Sequence, residues 1–131
     1  MVEQMPLAAA PDSPQLARRF VSERISAWGY SHLTQVVELL TSEVVTNAVV
    51  HARAPFLVQL EDQGDGVLVA VEDPEATLPR RIDAPPSSIG GRGLVIISAL
   101  ATAWGVDPVP GQGKRVWFKV AGSPSTVPAD G

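Results

Sequence analysis

The sequence predicts an α+β fold, a two-layer sandwich in which helices cover one face of a mainly antiparallel sheet. Two hydrophobic patterns lead to this prediction. Apolar residues recur at helical spacing over residues 33–48, and they alternate with other residues over 56–61, as in a strand. With 131 residues, 45% of them hydrophobic, the chain can bury a single core.

Two helices are predicted in the first part of the chain. Ser13 followed by Pro14 is a helix start, and the helical stripe after it ends at Gly29. A turn over residues 29–31 then leads into a longer helix. The first stripe consists of Ala17, Phe20, Val21, Ile25 and Trp28, and the second of Leu33, Val36, Val37, Leu40, Val44 and Ala48.

Four strands and a third helix are predicted after the second helix. The turn Gly64-Asp65-Gly66 joins the runs 56–61 and 67–72 into a hairpin. A helix is expected from Gly93 to about Thr102. Two more strands follow at 104–106 and 115–120. The expected organisation is a flexible N-terminus over 1–13, one domain over 14–120 and a disordered tail over 121–131.

Glu43 and Asn47 lie four residues apart on the longer helix, which places them on one side of it. Asn47 falls within the apolar stripe and Glu43 near its edge, where a polar group without a partner costs about 1–3 kcal/mol. A carboxamide oxygen is a hard ligand for a hydrated cation, and a carboxylate can accept a proton. The pair therefore suggests a magnesium-nucleotide site, although hydrogen bonds to neighbouring backbone are an alternative.

The segment Gly90-Gly91-Arg92-Gly93 leads into the apolar run that starts at Leu94 and is predicted to open a helix. Free N–H groups at a helix start attract phosphate, and glycine lets the phosphate approach closely. Arg92 and Lys114 could both neutralise phosphate charge. Arg92 is the better candidate, because Lys114 opens a strand where a solvated charge is ordinary. A flexible surface loop remains the alternative for the glycines.

The order of these motifs resembles the GHKL (Bergerat-fold) ATP-binding domains, and among them the bacterial anti-sigma factor serine/threonine kinases and their actinobacterial relatives. The resemblance runs from about Leu16 to Val120. It rests on Ser-Glu-Val-Val-Thr-Asn-Ala-Val-Val-His, Gly-Arg-Gly-Leu, Trp-Gly and Val-Trp-Phe. It implies a histidine-kinase-ATPase-like sandwich that binds ATP and Mg²⁺.

The resemblance also implies a role for each matched residue. Glu43 would be the catalytic base, Asn47 would hold Mg²⁺, and Asp73 would bind the adenine amino group. The backbone of Gly91, Arg92 and Gly93 would lie beside the triphosphate. The connection 73–91, which contains four prolines, would then be a lid over ATP.

One part of the chain departs from the family pattern. The adenine box of the family usually reads Asp-x-Gly-x-Gly, whereas Asp73 is followed by Pro74 and Glu75. A side chain at Glu75 can crowd the base, and its carboxylate adds negative charge near a polyanionic ligand. The sequence therefore leaves the ATP affinity open.

Composition excludes several classes of function. A net charge of -4 argues against nonspecific binding to nucleic acid. The chain has no cysteine for a disulfide framework, and no apolar run long enough to span a bilayer. We expect a cytoplasmic protein whose partners are small ligands or proteins, and a homodimer is left open.

Two hypotheses of different classes follow. In the first, the protein is an ATP-dependent serine/threonine kinase that phosphorylates an anti-anti-sigma-type protein and otherwise sequesters a sigma factor. In the second, it is a non-catalytic protein-binding regulator on the same fold with a degenerate nucleotide site. The Glu43–Asn47 pair favours the enzyme, and Glu75 favours the binder.

Overall fold

The computed structural model describes residues 2–51, 54–73, 100–109 and 113–122. Within these residues, two α-helices pack against one face of a five-stranded antiparallel sheet, which confirms the predicted α+β class. The elements are β1 (Val2–Leu7), α1 (Ser13–Ala27), a 3-10 turn (Ser31–Leu33), α2 (Thr34–His51), β2 (Phe56–Asp62), β3 (Gly66–Asp73), β4 (Ala103–Val109) and β5 (Gly113–Ala121).

The helices follow the stripes expected from the sequence. In α1, the residues Ala17, Val21 and Ile25 are fully buried at a spacing of four, so one narrow side of the helix faces the core. The helices α1 and α2 also contact each other, and Arg18 Nη1 donates a hydrogen bond to Ser42 Oγ at 2.9 Å. The side of α2 that is buried consists of Val37, Leu40, Thr41, Val44, Val45 and Ala48.

The strands lie in the order β1-β2-β3-β5-β4, so β3 is central. Val69 of β3 is paired with Leu60 of β2 on one side and with Phe118 of β5 on the other. Because side chains alternate across a strand, these residues define the face that the helices cover. The buried residues of that face are Phe56, Val58, Leu60, Val67, Val69, Val71, Val116, Phe118 and Val120.

Strand β1 lies at the edge of the sheet, in a segment for which the sequence analysis predicted flexibility and no strand. It pairs antiparallel with β2, from Val2 opposite Glu61 to Leu7 opposite Phe56. The inward positions Glu3, Met5 and Leu7 include a charge, and Pro6 faces outward. An edge strand tolerates both a charge and a proline, so its periodicity is too weak to identify from the sequence.

The other predicted elements agree with the structure where it describes them. Strands β4 and β5 contain the predicted runs 104–106 and 115–120, and each extends beyond them. Of the predicted helix 93–102, only the last residues are described; Leu100 is helical and the helix has ended by Ala101. The connection 74–99 and the tail 123–131 lie outside the described residues.

The face of the sheet away from the helices is organised by Trp117. Its indole Nε1 donates to Asp107 Oδ2 at 3.0 Å, and the ring lies directly over Gly105. A Cβ at Gly105 would come within 2.8–2.9 Å of three ring atoms. Glycine is therefore needed next to this tryptophan, which packs on the sheet.

Tyr30 joins the helical layer to the β2–β3 hairpin at one end of the sandwich. Its hydroxyl is attached to a fully buried ring and donates to Asp62 Oδ1 at 2.7 Å. Burial, and then this hydrogen bond, raise the pKa of Tyr30 to about 12, and the same bond lowers the pKa of Asp62. Asp62 also accepts from the backbone N–H of Gly64. The hairpin end of the sandwich is thus held by side-chain contacts.

Replacing Thr41 with valine should stabilise the protein. Thr41 is fully buried, and among the described residues its hydroxyl has no hydrogen-bond partner. Thr41→Val keeps the shape and removes the desolvated hydroxyl, so we expect a gain of about 1 kcal/mol in the free energy of unfolding. Urea denaturation measures this gain. Thr34→Val is the control, because the Thr34 hydroxyl bonds to the Ser31 carbonyl oxygen at 2.9 Å; an equal gain in both variants would contradict the explanation.

Candidate functional site

The candidate site lies at the end of the sandwich opposite the Tyr30–Asp62 contact. Helix α2 ends at His51, and β2 begins at Phe56, only a few residues later. Because β2, β3 and β5 alternate in direction, the start of β2, the end of β3 and the start of β5 meet at this edge. The topology therefore brings the last turns of α2 to the same end as Asp73 and Lys114.

Asn47 supplies the clearest local signal. It lies about one turn before the end of α2 and is half-buried, yet its Oδ1 atom is fully buried. Among the described residues this oxygen accepts no hydrogen bond. Leaving such an oxygen without a partner costs about 1–3 kcal/mol, and none of the residues that the structure describes supplies one. A hard oxygen of this kind suits Mg²⁺.

Glu43 lies one helical turn before Asn47 and is also half-buried. Residues four apart on a helix have Cβ atoms about 5–6 Å from each other, so the carboxylate and the carboxamide belong to one patch of the helix surface. The buried side of α2 continues past them through Val44 and Ala48. The sequence predicts Asn47 within the apolar stripe and Glu43 near its edge, and in the structure both residues are half-buried beside that stripe.

Asp73 is the last residue of β3 and is only 3% exposed. It continues the inward positions Val67, Val69 and Val71, so its carboxylate lies at the end of the core face of the sheet. Its Oδ1 is 3.2 Å from the Nζ atom of Lys114. The residue predicted to bind the adenine amino group is thus a buried acceptor beside a cation.

The interpretation of Lys114 as a solvated charge is wrong. Lys114 is 5% exposed and is the cross-strand neighbour of Asp73. The signal that could have placed it is the period of two in β5, since Lys114 falls on the same face as Val116, Phe118 and Val120. Lysine is rarely buried, so the residue type alone favours a solvated charge, whereas the strand register places the side chain in the core.

The charges of the neighbouring residues lie on the other face of the sheet. Arg115 Nε is 3.9 Å from Glu72 Oε1, and Lys119 Nζ is 3.1 Å from Asp65 Oδ1. Asp65 is exposed to solvent, and the other three side chains are half-buried. The Asp73–Lys114 pair differs from them in burial and in its position on the helix-covered face.

The remaining predicted site residues, Gly91, Arg92 and Gly93, lie outside the described residues, as do Glu75 and the predicted lid. In the part of the chain that is described, no three His, Cys, Asp or Glu side chains come together as metal ligands. None of the described helices has both the length and the apolarity required to span a bilayer.

Two solved structures share the fold with this chain. One is the histidine kinase domain of a blue-light activated histidine kinase from Erythrobacter litoralis, with a TM-score of 0.51 and 24% identity. The alignment covers 80% of this chain and 60% of that domain. A second structure of the Erythrobacter litoralis blue-light activated histidine kinase gives a TM-score of 0.52 at 24% identity, covering 80% of this chain and 41% of that one. This chain therefore spans less than two thirds of the length of either structure.

None of the curated proteins matches this sequence. Over residues 7–120, however, the sequence matches the family described as the histidine kinase-like ATPase domain. The matched range takes in both helices, four of the five strands and the Glu43–Asn47 pair. The chain belongs to the histidine kinase-like ATPase domain family.

Proposed function

We propose that this protein binds ATP with Mg²⁺ at the end of α2 and acts as a serine/threonine kinase of the anti-sigma factor type. The observation that carries the proposal is the buried Asn47 Oδ1, which no described residue satisfies. Membership of the histidine kinase-like ATPase domain family supports ATP binding in a regulatory protein. We propose three further properties beyond this family membership: specificity for serine, the use of Mg²⁺ and the protein partners.

Asn47 would hold the cation through its Oδ1, and Glu43 would accept the proton of the serine hydroxyl that is to be phosphorylated. Bound Mg²⁺ would neutralise charge that develops on the transferred phosphate. Asp73 would accept a hydrogen bond from the adenine amino group, and the backbone of 91–93 would cradle the phosphates. Each of these roles is assigned to the residue that matches the corresponding motif of the GHKL domains.

The proposed regulatory cycle needs two protein partners. An anti-anti-sigma-type protein would carry the serine that is phosphorylated. Once that protein is phosphorylated, the present protein would sequester a sigma factor. The net charge of -4 fits protein partners better than direct contact with nucleic acid. A cytoplasmic location and a homodimer are compatible with this role and are proposed with it.

A non-catalytic regulator is the second candidate. The observation that favours it is Glu75, which places a carboxylate where the family's adenine box has its first glycine. A protein of this kind would bind its partner through the same fold without using the nucleotide site. It would need neither the Asn47 oxygen nor the Glu43 carboxylate.

Asn47→Ala should remove the magnesium-dependent part of ATP affinity. In the wild type, ATP titrated by calorimetry should bind more tightly with Mg²⁺ than with a chelator, because Asn47 adds a ligand to the cation. The variant should bind ATP with nearly equal affinity in both conditions.

Gln35→Ala is the matched control, since it removes an exposed carboxamide from the same helix. It should keep the wild-type response to Mg²⁺. A magnesium effect that is equally large in Asn47→Ala would exclude Asn47 as the cation ligand.

A further inference from the structure

The face of the sheet away from the helices, here called the open face, is covered by no helix or strand of the described ranges. An antiparallel sheet with one solvated face normally alternates apolar and polar residues along each strand. The central strand β3 does not, because every position from Val67 to Val71 is apolar. Such a run is typical of a strand that is buried on both faces, and the helices bury only one of them.

The open face has an apolar centre and a charged margin. Its apolar residues lie on the three middle strands and are Leu57, Leu68, Ala70 and Trp117. Its charged residues surround them and are Glu61, Glu72, Asp107, Arg115 and Lys119. An apolar centre that includes a tryptophan, inside a polar rim, is the usual composition of a protein–protein interface.

Glu61 and Lys119 occupy one row of this face, on opposite sides of β3. Glu61 of β2 is paired with Leu68 of β3, and Leu68 is paired with Lys119 of β5. Lys119 contacts Asp65, whereas Glu61 forms no ion pair with any residue in the described ranges. The row therefore places a free carboxylate one strand to one side of the centre and an ammonium one strand to the other side.

A two-fold axis parallel to β3 makes the open face complementary to itself. Such an axis places β3 against β3 of a second copy, and β2 of each copy against β5 of the other. Leu68 then meets its own counterpart, and Lys119 of each copy lies opposite Glu61 of the other. A two-fold axis across the strands would instead place Lys119 opposite Arg115 of the second copy, which brings like charges together.

We propose that the open face is the interface of a homodimer, in which the sheets of two copies pack face to face about an axis parallel to β3. This inference rests on the homodimer included in the proposed function and assigns a surface to it. The helices of both copies lie on the outer sides of the paired sheets, so both candidate nucleotide sites remain outside the interface. Association is therefore measurable without nucleotide.

Sedimentation equilibrium of the full chain tests the interface. The wild type should be a dimer at about 100 μM. Lys119→Glu and Glu61→Lys each bring like charges together at two symmetric contacts, so each should raise the dissociation constant of the dimer by about 10- to 100-fold. An equimolar mixture of the two variants should associate as tightly as the wild type, because every such contact then joins opposite charges.

Two further variants separate the interface from effects on folding. Glu72 lies opposite its own counterpart across the axis, so Glu72→Gln should lower the dissociation constant several-fold, which an unfolded variant cannot do. Arg19 is exposed on α1, in the helical layer. Arg19→Glu changes the net charge as much as Lys119→Glu does, and it should keep the wild-type dissociation constant.

The inference is overturned where the wild type remains a monomer at about 100 μM, or where the mixture of Lys119→Glu and Glu61→Lys associates no more tightly than either variant alone. A monomer would leave the open face for a different protein. Neither result bears on ATP binding. Absence of ATP binding in a wild type that dimerises would remove the proposed kinase function and leave the interface standing.

Discussion

Glu43→Ala should lower phosphoryl transfer to a serine-bearing anti-anti-sigma-type protein by about 10²–10⁴, the usual share of general-base catalysis. ATP affinity should stay nearly intact. The reason is that a base acts on the proton in the transition state and adds little to ground-state binding. Transfer of labelled phosphate and ATP titration, both measured on one preparation of each protein, separate the two effects.

Glu38→Ala is the matched control for Glu43. Glu38 is a half-buried glutamate of the same helix, five residues earlier and therefore on another side of α2. It should transfer phosphate at the wild-type rate. Equal activity of Glu43→Ala and the wild type would remove Glu43 from the mechanism. A loss of stability and affinity together would instead make Glu43 a structural residue.

Asp73→Ala should destabilise the protein by about 3–5 kcal/mol, because it removes the counter-charge of the buried Lys114 ammonium. The double variant Asp73→Val/Lys114→Met should recover most of the loss, since it extends the apolar face of β3 and β5. Urea denaturation of the wild type and these two variants measures both effects.

Asp65→Ala is the control for the Asp73 variants. It breaks the contact with Lys119, in which the Asp65 side chain is 71% exposed. We therefore expect the free energy of unfolding to change by no more than about 1 kcal/mol. A similarly small change for Asp73→Ala would show that the buried pair contributes little. A double variant no more stable than Asp73→Ala would show that the loss arises from packing rather than from the buried charge.

The sequence was sufficient for α1, α2 and four strands, because each of them carries its own periodicity. The stripe through Ala17, Val21 and Ile25 is the buried side of α1, and the alternation Phe56, Val58, Leu60 is the buried face of β2. These patterns depend only on local geometry. The family was indicated by the resemblance of several short motifs, in their order along the chain, to the GHKL ATP-binding domains, and residues 7–120 match the histidine kinase-like ATPase domain family.

What the sequence could not predict depends on contacts between distant residues. Strand β1 exists because β2 offers it an unpaired edge, and its own alternation is interrupted by Glu3 and Pro6. Lys114 looks like a solvated charge until the pairing of β5 with β3 places it against Asp73. The roles of Gly91, Arg92 and Gly93 remain predictions, because those residues lie outside the described ranges.

The thermal unfolding midpoint of the wild type, with and without magnesium-ATP, tests the central claim most directly. Ligand present at about 100 times its dissociation constant adds about 2.7 kcal/mol to the free energy of unfolding. In a domain of this size that gain raises the midpoint by several degrees, and ATP with a chelator should raise it less. An unchanged midpoint at millimolar magnesium-ATP would contradict the claim and leave the non-catalytic regulator as the function of this fold.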